Sequence, residues 1–463
     1  MKIIIIIFII YFSSFIKVES STTVNFETSG DGYTVSGNVI TLTGEGPFDL
    51  TGDIYSKKII VSSSCKLNLN SLELTNTDSL TPLIISENKA VELVLTGEST
   101  LIDSSHNENE GTIYLQKGAS LTISGTGTLN LLPSKNMAIN GTEGTSLTVK
   151  DGVEIIIAPS SKETGGIYLR KEINLNDAKI TYSCDECKNH AIDSEGDIKL
   201  VEGTYSLKSG KGKGIQSEKN LYIGIENGDN SDLKLSITAS NEGIEAMGIT
   251  IYSGQISIDA TDDGINAASS GDECSDKVQC SGNCACFITF KGGNLELISE
   301  QDGLDSNGDI TISGGYIQIF AASDSADQPI DQNGLLKITG GAIIAAGSSS
   351  MSGVIGQTTQ VAKEYKGKIS EGAQILITDS NGAEIIRITT PKEANYIYLN
   401  YKSAFTVKIN NAEITLSEPS NENNQRPGGP GNPNDRQNNN DNSDFGSFLR
   451  MSNLILLLSI SFL

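Results

Sequence analysis

From residue 21 to about residue 416, apolar and polar residues alternate in short runs such as Val39-Ile40-Thr41-Leu42-Thr43, Val91-Glu92-Leu93-Val94-Leu95 and Ile310-Thr311-Ile312-Ser313. A period of two is the signature of strands, and the Gly, Asn and Asp residues between the runs read as turns. No helix of useful length is evident. The chain is therefore expected to be all-β.

One phrase returns within this alternation. It reads Glu242-Gly243-Ile244-Glu245-Ala246, then Asp263-Gly264-Ile265-Asn266-Ala267, then Asp302-Gly303-Leu304-Asp305-Ser306, and more loosely Gln328-Pro329-Ile330-Asp331-Gln332. Weaker copies run back through Gly214-Ile215-Gln216-Ser217, His190-Ala191-Ile192-Asp193-Ser194, Gly166-Ile167-Tyr168-Leu169, Ala138-Ile139-Asn140 and Gly111-Thr112-Ile113-Tyr114. From Ile113 to Ile330 the central Ile or Leu residues are 26, 28, 25, 23, 29, 21, 39 and 26 residues apart. Short strands repeating at such a period predict a solenoid of stacked β-coils. A right-handed parallel β-helix is expected, because parallel crossover connections are nearly always right-handed. One such domain is predicted over 21–360, with a small C-terminal β unit or cap over 361–416, where strands such as Ile385-Ile386-Arg387-Ile388 lack the phrase.

Stacking would put equivalent positions of successive coils about 4.8 Å apart. The acids of the phrase, Glu242, Glu245, Asp262, Asp263, Asp302, Asp305, Asp327 and Asp331, would then form a column. Two carboxylates at roughly 5 Å repel by about 3 kcal/mol at an effective dielectric near 20, and by less than about 1 kcal/mol in open water. A sheltered column must take up protons or a cation. Hard oxygen donors at turns suit Ca²⁺, whereas a plain reading leaves Asp, Asn and Gly as solvated turn residues.

The ends carry targeting features. Lys2 followed by the apolar run Ile3 to Ile16, with small residues before Ser20, is expected to be a signal peptide over 1–20. Residues 417–444, crowded with Asn, Pro and Gly, read as a disordered linker. Residues 445–463 end in an apolar tail, the pattern of a GPI-attachment signal with Asn442 as attachment residue, or of a short membrane anchor. Export to the outer face of the plasma membrane follows. The sequon Asn140-Gly141-Thr142 falls at an expected turn and is a candidate glycosylation site.

Seven cysteines in an exported chain favour disulfides over metal thiolates. Cys184 and Cys187 are expected to bridge, and Cys274, Cys280, Cys284 and Cys286 to staple the insertion that makes the step of 39. Cys65 is the odd one out.

The phrases of His190–Ser194, Asp262–Ala267 and Asp302–Gly315 resemble those of the clostridial-type carbohydrate-binding β-helix family, whose fold is similar to that of pectate lyases. The likeness spans Thr23 to about Leu416 and is specific from His190 to Gly341. It implies a non-catalytic protein that binds Ca²⁺ and an acidic polysaccharide such as polygalacturonate. Its metal ligands would fall on Asp262, Asp263, Asp302 and Asp305, with Asp331 and Glu245 beside them. Glu242, Asn266, Asp327 and His190, on or next to the phrase, are the candidate ligand-binding residues. The chain departs from the pattern at Gln216, where several copies have an acid, and in its Cys-rich insertion.

The net charge of −24 would repel an acidic glycan unless divalent ions sit between the carboxylates of protein and sugar. No nucleic-acid partner is expected from so acidic a chain. With no Trp, stacking on sugar would fall to Tyr168, Tyr205, Tyr222, Tyr252 or Tyr316. The alternatives are a β-helix lyase, whose base would be Lys213, Lys277, Lys291 or Lys337, an inverting hydrolase using two carboxylates of the column with His190, or a structural surface protein. A monomer is expected.

Overall fold

The computed structural model describes residues 21–419, apart from 77–79, 105–108, 227–231, 270–273, 275–283, 324–326 and 349–356. The signal peptide, His106, Lys277, Cys280, Asn442 and the terminal tail expected from the sequence lie outside the described residues. The described residues form an all-β solenoid of about eleven turns, with mostly parallel strands and no α-helix.

Each coil contributes up to three strands, and each strand pairs with its equivalent in the neighbouring coils. On the first face the central apolar residues stack in register through Ile40, Ile59, Leu83, Ile113, Ile139, Ile167, Ile192, Ile215, Ile244, Ile265, Leu304 and Ile330. The residues that define the sequence period therefore lie on one another. A second inward column runs through Leu67, Leu93, Ile123, Val149, Leu175, Leu200, Ile223, Ile251, Phe290, Ile312 and Ile338. The third holds Leu101, Leu131, Ile157, Tyr182, Leu207, Ile237, Ile258, Leu297 and Ile319. Together they make one continuous core. Each fully buried Ile or Leu contributes roughly 1.5–3 kcal/mol, and a one-residue slip of register would turn every one of them to solvent.

The glycine of the phrase has a packing cause. A Cβ on Gly214, Gly243, Gly264 or Gly303 would lie 2.6, 2.5, 2.7 or 2.4 Å from the carbonyl oxygen of the equivalent residue in the next coil. Even a methyl group has no room there. Gly303→Ala is expected to cost about 1–3 kcal/mol through the shift it forces. This would be read as a lower urea midpoint; an unchanged midpoint would mean the coils can part at no cost.

The C-terminal unit grows out of the last coil. Strand Ala394–Tyr401 pairs antiparallel with Leu336–Gly347 and with Val361–Ile369, and a separate four-stranded antiparallel sheet is built from Gln374–Asp379, Glu384–Thr389, Phe405–Ile409 and Ala412–Glu413. Phe320, Ile344 and Ala346 of the solenoid join Ile375, Ile397, Leu399 and Val407 in a second core. On the third face the outward positions change from Ser236, Ser257 and Glu296 to Gln318 and Ile344 as this cover is reached.

Cys184–Cys187 and Cys274–Cys286 are disulfides, Cys284 is also disulfide-bonded, and Cys65 is free and buried. Asn140 corrects one expectation. It lies within the strand Met137–Gly141 and not at a turn, and its Nδ2 donates to the Asn109 carbonyl at 3.3 Å.

Candidate functional site

The acids of the phrase occupy two adjacent columns on the first face instead of one. In the position after the central Ile or Leu, register stacks Tyr168, Asp193, Gln216, Glu245, Asn266, Asp305 and Asp331. These side chains point outward because their neighbours on both sides point into the core. Two positions before the central residue come His190, Lys213, Glu242, Asp263, Asp302 and Gln328. Asp262 and Asp327 stand one position earlier still.

The second column is tied coil to coil by its own side chains. The Lys213 backbone N–H donates to His190 Nδ1 at 3.0 Å, and the Asp302 N–H to Asp263 Oδ1 at 2.9 Å. The Gln328 N–H donates to Asp302 Oδ1. Each acceptor points along the stack, so its direction is set by the backbone of the next coil.

Two electrostatic regimes follow. Toward the N-terminus, Lys213 Nζ lies 2.6 Å from Glu245 and 3.3 Å from Glu242, all three side chains being less than a fifth exposed. Burial by itself would lower the Lys213 pKa, but the two carboxylates together raise it. Lys213 is thus held as an ammonium at neutral pH. Burial, reinforced by Lys213, drops His190 to about 4, so the ring is neutral with its proton on Nε2.

Toward the C-terminus, among the described residues, the charged groups that act on Asp263 and Asp302 are other acids. One carboxylate oxygen from each of Asp263, Asp302 and Asp305 lies within 4.8 Å of the others, and none of the three residues is fully exposed. Burial, then Asp302, Asp262 and Glu242, push Asp263 to about 8. Burial likewise lifts Asp302 to about 8, opposed by the Gln328 N–H and helped by Asp305, Asp331 and Asp327. Asp262 is raised by burial and Glu242.

The donors fit calcium. They are all hard oxygens, and a separation up to 4.8 Å can be spanned by one ion with bonds of about 2.3–2.6 Å. A fourth oxygen is at hand. Asn266 Oδ1 is buried without a hydrogen-bond partner, and Asn266 stacks directly against Asp305. Gln328 Oε1, beyond Asp302 in the other column, is also buried and unpaired.

The sequence-based set is thus divided. Asp263, Asp302 and Asp305 converge, with Asn266 adjoining. Glu242 and Glu245 share Lys213 as their counter-ion, Asp331 stacks on Asp305 one coil further on, and Asp262 and Asp327 flank the row. Sequence reasoning missed two members. Lys213 sits at the acid position of its coil, and Asp193, raised by burial and Glu218 to about 7, holds the same offset from Ile192 as Asp305 from Leu304. That offset was visible. The pairing of Lys213 with two later acids was not.

The shifts set the sign of the pH response. Asp263 and Asp302 keep their protons to about pH 8 when folded, whereas their ordinary value is 3.8. Between these values the folded chain holds more protons than the unfolded one, so stability is present at acid pH and lost as pH rises through the window. In EDTA the thermal midpoint is expected to fall from pH 5 to pH 8.5, with added calcium restoring it most at the alkaline end. A midpoint flat in pH would contradict the sheltered row.

Of the tyrosines, Tyr205 is core, while Tyr168, Tyr222, Tyr252 and Tyr316 are half-buried on the surface. A family model described as "Carbohydrate-binding domain-containing protein" matches residues 36–272 and again 234–423. No curated protein and no solved structure matches the chain.

Proposed function

The chain belongs to the carbohydrate-binding domain-containing family, and from that premise we propose that its first face binds an acidic, polygalacturonate-like polysaccharide through calcium. The observation that carries this reading is the convergence of Asp263, Asp302 and Asp305 beside the unpaired oxygen of Asn266. Calcium bound there supplies positive charge between the carboxylates of protein and sugar. The protein's own part is to hold the oxygens in place: Asp263 and Asp302 are each fixed by a backbone N–H of the next coil, and Asp305 by the strand Leu304–Ser306.

The role is binding without catalysis. Lys213, held charged by its two glutamates, and neutral His190 support this over a lyase or hydrolase. In this reading the domain is displayed outside the cell by a lipid anchor, which phosphatidylinositol-specific phospholipase C would release; a chain left membrane-bound after treatment would count against it.

The test of calcium bridging is retention on immobilised polygalacturonate. EDTA is expected to elute the protein, and calcium but not sodium to restore retention. Retention indifferent to EDTA would rule out the bridge.

A further inference from the structure

The column that carries Asp305 continues toward the N-terminus with a different chemistry. Tyr114, Asn140 and Tyr168 stack in register, and Tyr168 is followed by Asp193. All three are partly exposed on the same outward face as the acid row. The two rings stand two rungs apart, about 9.6 Å, a spacing on the scale of a disaccharide, with an amide between them.

Arg170 lies over this patch. Its guanidinium carbon sits 5.6 Å from the centre of the Tyr168 ring. Glu195 accepts a hydrogen bond from the Tyr168 hydroxyl at 2.8 Å and lies 3.6 Å from Arg170 Nε. Arg170 Nε is nonetheless buried without a hydrogen bond, and among the described residues no hydrogen bond reaches the terminal nitrogens, although a third of the side chain is exposed. No other arginine occurs before Arg387. A planar cation with open donor sites, stacked on a ring that Glu195 holds in place, is suited to a carboxylate.

We propose that Tyr114, Asn140, Tyr168 and Arg170 form a direct sugar-contacting subsite, in which pyranose rings stack on the two tyrosines and a uronate carboxylate sits on Arg170. This deepens the carbohydrate-binding reading and rests on it. Tyr168 and Asn266 are four rungs apart in one ladder, about 19 Å, so a single extended chain reaches both the subsite and the calcium row. The two regions divide the work: calcium offsets the repulsion of an acidic glycan, while Arg170 and the rings read its shape and charge. A glycan on Asn140 would cover the patch.

The test uses the full chain freed of any N-glycan, in calcium, titrated calorimetrically with galacturonate oligomers and with the same oligomers reduced at the carboxyl. Tyr168→Ala is expected to weaken uronate binding roughly tenfold, and Tyr168→Phe, which keeps the ring, by no more than about twofold. Arg170→Gln is expected to weaken uronate binding roughly tenfold while leaving the carboxyl-reduced oligomer unchanged, an effect that a structural role for Arg170 would not produce. If the native chain binds the oligomer and these variants bind it equally well, the subsite is wrong and the carbohydrate reading stands. If the native chain binds neither oligomer, that reading fails and the subsite with it.

Discussion

Asp263→Asn combined with Asp305→Asn is expected to abolish retention on polygalacturonate while making the metal-free protein more stable. The opposed signs come from one cause. The carboxylates of Asp263, Asp302 and Asp305 are crowded and partly buried, and ionising Asp263 and Asp302 there costs free energy that protons or a cation offset. Replacing two of them by amides of the same shape removes that cost and also removes two of the three charged donors. Calcium affinity should fall by about 100-fold or more, since donor charge is a principal determinant of affinity at such sites. The measurements are calcium titration calorimetry and thermal unfolding in EDTA at pH 8. Lost binding with lowered stability would indicate a misfolded variant and not a dismantled site. Binding retained at native strength would move the calcium site elsewhere.

The second large effect is expected at Lys213→Met. Lys213 is a shared counter-ion: its ammonium faces both Glu242 and Glu245 from the preceding coil, in a setting where all three are mostly covered. Removing it leaves two close carboxylates without a counter-ion, Glu242 keeping the hydrogen bond from Asn241, which costs about 3 kcal/mol or more when the pair is shielded from water. The sign with pH is specific. Lys213 has a raised folded pKa, so its contribution is fully present below the ordinary lysine value of 10.5 and fades only as pH passes the folded value. The Glu245 pKa is already raised by burial in spite of Lys213, and without the ammonium it rises further. The deficit of the variant should therefore be largest near neutrality and shrink on acidification as Glu245 takes up a proton. Urea unfolding at pH 8 and pH 5 checks this; an equal deficit at both would mean that lost packing of the lysine stem, not lost charge, is responsible. The vacated pair of carboxylates would attract calcium in this variant, so the comparison belongs in EDTA.

Much of the architecture was legible because a solenoid repeats its own instructions. Ile192, Ile215, Ile244, Ile265, Leu304 and Ile330 recur at irregular steps, yet all stack. The steps vary because turns between strands tolerate insertion while the strands do not. The 39-residue step adds the Cys274–Cys286 loop and leaves Ile265 directly against Leu304. The candidate site was legible only in part. The acids before and after the glycine looked like one file, and they are two. Glu245 carried the same signal as Asp305, but Lys213 lies against one and not the other.

What the sequence determined by itself is the strand period, the inward columns and the face on which the acids lie. These depend on alternation, and an alternation of period two leaves each residue only two sides to choose from. What the tertiary structure decided is which charges meet. Lys213 precedes Glu245 by 32 residues and Asp263 precedes Asp305 by 42, so their encounters depend on how coils of unequal length come into register, and on the turn at the phrase glycine that brings two columns side by side. Electrostatic energy follows distance in space, and at these separations the chain carries no record of it until it is folded.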